Sequence, residues 1–134
     1  MIEFLAPRTG AQNARGARGL TNSVQFAIAM PVLMILSLGI IQGGVWLHGR
    51  HVAAEAANAA ADIARGYRAD DRSARQAAVR IADIGGLHGV RVGIERTGTT
   101  VEATLSARAP LIFDIGLGRI SETATAPREL ITRP

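Results

Sequence analysis

The chain has no cysteine, no lysine and few aromatic side chains. Phe4, Phe26, Trp46, Tyr67 and Phe113 are the only Phe, Trp or Tyr among its 134 residues. Without cysteine, disulfides, thiolate nucleophiles and cysteine-ligated metals are excluded. Alanine stands where a globular core would want Leu and Phe. The 85 residues that follow Gly49 can therefore bury only a thin core, and such a domain is expected to gain stability from a partner. All fifteen basic residues are Arg, against eleven acids. From Arg50 to Arg96 the two signs alternate, which gives a solvated mixed-charge surface rather than the basic stripe of a nucleic-acid binder. From Leu20 to Gly49 charge is missing altogether.

That uncharged run is the strongest feature of the sequence. As a helix, Val24 to Leu47 would be about 36 Å long, enough to cross a hydrocarbon core of about 30 Å with some tilt. It holds twelve Leu, Ile, Val or Phe residues, worth roughly 4–7 kcal/mol of insertion free energy. Gln25, Gln42 and Pro31 oppose insertion without reversing it. Trp46 suits the headgroup region at the far end, and Arg50 ends the span. Arg8, Arg15 and Arg18 precede the run closely, and Arg50 alone follows it closely. The positive-inside rule therefore puts the N-terminus in the cytoplasm and the C-terminal domain outside. A cleaved secretory signal has the same order of basic and apolar parts, but its apolar core is about 7–15 residues, shorter than this one.

Four parts are expected: a basic, unstructured cytoplasmic leader over 1–19, a transmembrane helix over 20–49, an extracytoplasmic α+β domain over 50–126 and a tail over 127–134. Val52 to Arg65 is alanine-rich, so the membrane helix should continue beyond the bilayer. Val52, Ala56, Ala59 or Ala60, Ile63 and Tyr67 form a stripe at helical spacing, whose small residues would let neighbouring helices approach. Asp70 or Asp71 can cap a second helix with an apolar set of Ala74, Ala77, Ala78, Ile81 and Ile84, ended by Gly85-Gly86. Period two then takes over. Val90, Val92 and Ile94 alternate with polar residues, Thr97-Gly98-Thr99 makes a turn, and Val101, Ala103, Leu105 and Ala107 alternate again, which predicts a β-hairpin. Ala109-Pro110 stops the second strand. Leu111 to Gly118 is an apolar connector, and Ile120 to Ala126 a third strand. The expected fold is α+β: one transmembrane N-terminal helix, its alanine-rich extension, a short second helix and a small antiparallel sheet, in a lollipop shape. The helices are the available cover for the apolar face of the sheet.

Little in the chain points to catalysis. His48 and His51 have a spacing that can place two ligands on one helix face, but no Cys accompanies them and His88 is remote; they read as interfacial histidines. Gly85-Gly86-Leu87-His88-Gly89 follows a helix and precedes a strand, the reverse of a phosphate loop, and reads as a turn. Serines and carboxylates form no nucleophile motif. No enzyme activity, cofactor or metal is expected. Gly39 and Gly43, four residues apart, have the spacing that lets two membrane helices touch. Gln25 is a polar amide at the start of the span, costly in lipid unless it finds a partner.

The residues from Arg18 to Leu33, with Gly19, Gln25-Phe26-Ala27 and Pro31, resemble the N-terminal signature of TadE-like pseudopilins, minor components of the tight-adherence (Flp-type) pilus machinery. That signature is a basic leader, a Gly, a short small or polar stretch, Glu-Phe-Ala, and a Pro six residues after the Glu. The alanine-rich helix and terminal β region are also similar to this family. The resemblance implies a membrane-inserted assembly subunit, cut by a prepilin peptidase between Gly19 and Leu20. Its implied partners are other pilin and pseudopilin subunits and the pilus assembly platform. Gln25 would occupy the position of the Glu that pairs with an N-terminal amine, with Phe26 and Pro31 beside it and Gly39 and Gly43 as packing positions. Two departures stand out: Gln25 is neutral, and Gly19 precedes it by six residues where the family has five. The alternative is an unprocessed bitopic protein serving as an accessory or scaffold subunit of a secretion complex.

Overall fold

The computed structural model describes the backbone of residues 10–130 and the side chains of residues 22–130. Two helices precede three strands, as the change from helical to alternating pattern requires. They are α1 (Gly10–Ala64), α2 (Asp71–Ile84), β1 (His88–Arg96), β2 (Thr100–Arg108) and β3 (Arg119–Pro127). The fold class is the expected α+β. The chain forms two compact units, Met1–Ile40 and Ile41–Pro134. Helix α1 begins earlier than expected: residues 10–19, read as an unstructured leader, have helical backbone. Ala, Gln and Arg there are good helix formers that extend a helix already nucleated by the apolar run.

In the second unit the three strands form an antiparallel sheet in the order β1-β2-β3. The hairpin register sets Val92 opposite Leu105 and Ile94 opposite Ala103, and β3 sets Ala124 opposite Ala103. The Thr97–Thr99 turn closes with the Thr97 amide donating to the Thr100 carbonyl at 2.9 Å. β2 lies in the middle, so its inward residues Val101, Ala103, Leu105 and Ala107 are buried. Val90, Val92 and Ile94 on the edge strand stay half-buried. Ile120, Ala124 and Ala126 complete the apolar face.

The helices cover that face. Val52, Ala53, Ala56, Ala57, Ala60 and Ala61 of α1 join Ala78 and Ala82 of α2 and Leu87 in one core with β2 and β3. Methyl-sized side chains lose no rotamer freedom on burial, and they keep the helix backbone close to the sheet. The alanines expected to admit neighbouring helices are thus largely occupied by the chain's own sheet. Val52, Ala56 and Ala60 of the expected stripe are buried, but the buried face turns toward Ala53, Ala57, Ala61 and Ala64, and Ile63 and Tyr67 are exposed. On α2 the inward set is Ala74, Ala78 and Ala82; Ile84 is 81% exposed. No polar or charged residue is buried among the described residues.

Both ends of α2 are capped as the sequence implies. Asp70 is the N-cap: its carboxylate accepts from the Arg72 amide at 3.0 Å and from the Ser73 hydroxyl at 3.2 Å. At the other end the Leu87 amide donates to Ala82 O and the Gly86 amide to Asp83 O, the paired bonds of a Schellman cap. Gly86 supplies its left-handed residue, with φ at 80°. The Arg72 amide holds the Asp70 carboxyl below the ordinary carboxylate range. The folded state therefore favours the ionised form. The resulting stabilisation is complete above the ordinary range and is lost as pH falls through the lowered value. The melting temperature of wild type should exceed that of Asp70→Asn near neutrality, and the gap should narrow on acidification in a thermal series from pH 7 to pH 2. A pH-independent gap would exclude this role.

Candidate functional site

Every described residue of the first unit, from Asn22 to Ile40, is exposed. Phe26 is 66% exposed, Ile35 70% and Ile40 69%. Among the described residues, none covers this apolar surface. At about 100° per residue, Gln25, Ala29, Val32, Leu36 and Gly39 fall within about 40° of one line along the helix. Gln25 and Phe26 border a shallow groove shared with Asn22 and Ala29. Pro31 lies inside the helix and removes the amide that would bond to Ala27. One turn on, the Ser37 hydroxyl donates to the Leu33 carbonyl at 2.8 Å, a back-bond that satisfies the hydroxyl in an apolar setting. A methyl group added at Gly39 or Gly43 would meet nothing within 4 Å, so both are open to an incoming helix. The backbone at Gly19 and Leu20 is helical; their side chains lie outside the described residues.

The second unit opens with the last turns of the apolar run, and here sequence reasoning missed two residues. The first is Gln42, read only as a mild obstacle to insertion. Its Oε1 accepts from the Ile112 amide at 3.1 Å and its Nε2 donates to the Phe113 carbonyl at 2.5 Å. A lone amide in an apolar run needs a partner, and that was the available signal. The second is Gly49, where an added Cβ would lie 2.8 Å from Ile120 Cδ1 and 3.2 Å from Ala109 Cβ. Between them, Trp46 is half-buried against the core, not given over wholly to headgroups as expected. Its ring carries the Arg50 guanidinium 5.2 Å from the centroid, and Arg50 Nε pairs with Glu122 at 2.7 Å.

At the far end of the unit, Arg96 pairs with Asp71 and lies 3.4 Å from the Ala64 carbonyl. It thereby joins β1 to the start of α2 and the end of α1. His48 and His51 are exposed. No group of three or more potential metal ligands occurs among the described residues. The Gly85–Leu87 amides are spent on the cap of α2. A hollow of about 690 Å³ on the outer face of α2, lined by Arg72, Arg75 and Arg80 among others, is open to solvent.

These features define a class: an α+β protein with, among the described residues, one helix long and apolar enough to cross a membrane, its most apolar window wholly unburied. Within that class the chain is similar to one family in particular. The family model described as TadE-like protein matches residues 23–62, the same family that the residues around Gln25 and Pro31 resemble. The match takes in Gln25, Phe26, Pro31, Gly39 and Gly43 together with the start of the alanine-rich core; Gly19 and Leu20 lie ahead of it. No curated protein and no solved structure matches the chain.

Proposed function

We propose that this chain is a TadE-like minor pseudopilin. It is anchored in the cytoplasmic membrane by one span, with its N-terminus inside and its α+β domain outside, and it takes part in assembly of a tight-adherence type pilus. The observation that carries this reading is an apolar helix left exposed among the described residues, lying in the segment that matches the TadE-like model. The role is structural: the helix leaves lipid and packs among the helices of other subunits, with Gly39 and Gly43 open for close approach. Prepilin peptidase cuts between Gly19 and Leu20. Gln25 then faces the new N-terminal amine and hydrogen-bonds it without neutralising it.

The intact mass of the membrane-extracted protein, measured with and without prepilin peptidase, tests processing. Loss of residues 1–19 only in the presence of the peptidase is expected. A chain still starting at Met1 in both samples would instead support the unprocessed scaffold subunit, which the six-residue spacing from Gly19 to Gln25 favours. Restoring the family acid gives a second test. Gln25→Glu should preserve or raise incorporation into sheared pili, because an ionised partner neutralises the amine in a poorly solvated setting. Clear loss of incorporation would mean that the neutral amide is required.

A further inference from the structure

The connector from Leu111 to Gly118 has the wrong composition for a solvated loop. Five of its eight residues are Leu, Ile or Phe. Ile112, Phe113, Ile115 and Leu117 are 56%, 60%, 79% and 63% exposed. Part of its backbone, by contrast, is bonded within the chain. The Leu111 amide donates to Ala109 O at 2.9 Å, and Gly118 O accepts from the Ala109 amide at 2.8 Å. The Gly116 amide donates to the Asp114 carboxylate at 2.9 Å. The Ile112 amide and the Phe113 carbonyl are both met by the side chain of Gln42. Apolar side chains turned outward over a backbone partly bonded within the chain suit the headgroup–acyl boundary, where water and headgroups can meet the remaining polar groups.

The position of the loop says which surroundings these are. Gln42 lies in the uncharged run, eight residues before Arg50. Counted from Val24 at 1.5 Å per residue, a hydrocarbon core of about 30 Å ends near Gly43. The loop is therefore tied to the helix at the level where hydrocarbon gives way to headgroups. We propose that the Leu111–Gly118 loop is a second membrane anchor, with Ile112, Phe113, Ile115 and Leu117 seated at the headgroup–acyl boundary of a lipid bilayer and Gln42 as the strut that holds them there. Asp114, the loop's one charge, limits the depth to that boundary. The proposal rests on the reading of α1 as a membrane span. It adds that the domain lies against the outer leaflet instead of standing clear of it.

Because the native chain has no cysteine, single introduced thiols can report depth in the full-length protein. Phe113→Cys, Ile115→Cys, Ile35→Cys and Arg75→Cys are each labelled with an environment-sensitive fluorophore and reconstituted into phosphatidylethanolamine–phosphatidylglycerol vesicles containing nitroxide lipids. The Ile35 label should be quenched by nitroxides deep in the acyl chains. Labels at residues 113 and 115 should be blue-shifted and quenched by nitroxides near the headgroup, and the Arg75 label by neither. Failure at Ile35 would overturn the spanning reading, and the anchor with it. A quenched Ile35 label beside water-exposed labels at 113 and 115 would overturn the anchor alone. Protection at 113 and 115 that rises with the protein-to-lipid ratio would show a second copy as the occupant, and would also overturn it. Adding Gln42→Ala to Ile115→Cys should abolish the quenching at unchanged circular dichroism; quenching that persists would overturn the role of Gln42.

Discussion

Leu105→Ala should lower the stability of the extramembranous domain by about 2–5 kcal/mol, the range for a buried leucine cut back to a methyl. Leu105 is wholly buried on the central strand. Among the described residues, Leu87, Leu105 and Val101 are the largest side chains with almost no exposure; much of the rest of the core is alanine. Two consequences push the cost toward the upper end of the range. Alanine has no rotamer with which to fill a void, so the cavity persists. Each leucine also supplies an unusual share of a small total, since a domain of this kind retains about 5–15 kcal/mol in all. At about 4–8 °C per kcal/mol, the thermal midpoint of the full chain in detergent should fall by well over 10 °C, followed by circular dichroism. Ile84→Ala is the control. Ile84 is 81% exposed, and its truncation should stay within about 0.5 kcal/mol. Equal shifts for the two variants would mean that the core is not where the structure places it.

The same scarcity of large side chains explains what could be read from the sequence. The hairpin was legible because apolar residues alternate with Arg91, Gly93, Glu102 and Thr104 over Val90–Ile94 and Val101–Leu105, and a one-residue slip would turn every one of them to water. Asp70 and Gly86 were legible as helix ends because capping chemistry is local. The face of α1 that packs on the sheet was not. Ala occupies eight of the twelve positions from Ala53 to Ala64, so hydrophobic periodicity does not select among rotations of the helix. The two largest side chains nearby, Ile63 and Tyr67, point outward and bias the choice the wrong way. The Gln42 bridge spans about seventy residues, and no local pattern encodes such a pairing. The apolar connector was visible as a composition, but its attachment to the helix was not. For Gln25, Phe26, Pro31, Gly39 and Gly43 the sequence offers motif spacing alone, and their exposure among the described residues adds nothing that assigns them a role.

Gly85→Ala carries the other large effect, for the opposite reason: the core is too full there. A Cβ built at Gly85 would collide with Val52 Cγ1 and would lie 2.7 Å from its Cγ2 and 3.0 Å from its Cβ. The backbone of Gly85 is ordinary, with φ at −74°, so alanine is excluded by space and not by conformation. Val52 cannot step aside easily. It is β-branched and held to essentially one χ1 rotamer on a helix, on the turn of α1 that packs on Leu87 and the sheet. Relief must come from moving the end of α2 away from α1, at about 1–3 kcal/mol or more. The expected result is a fall in thermal midpoint of at least about 5 °C. Val52→Ala alone should also destabilise, by loss of buried methyl groups. Combined, the two substitutions should be markedly less harmful than the sum of the singles, because removing the valine methyls vacates the volume that the new Cβ needs. A coupling of at least about 1 kcal/mol in this double-mutant cycle is expected for residues in direct contact. Simple additivity would mean that α1 and α2 do not meet at Val52 and Gly85.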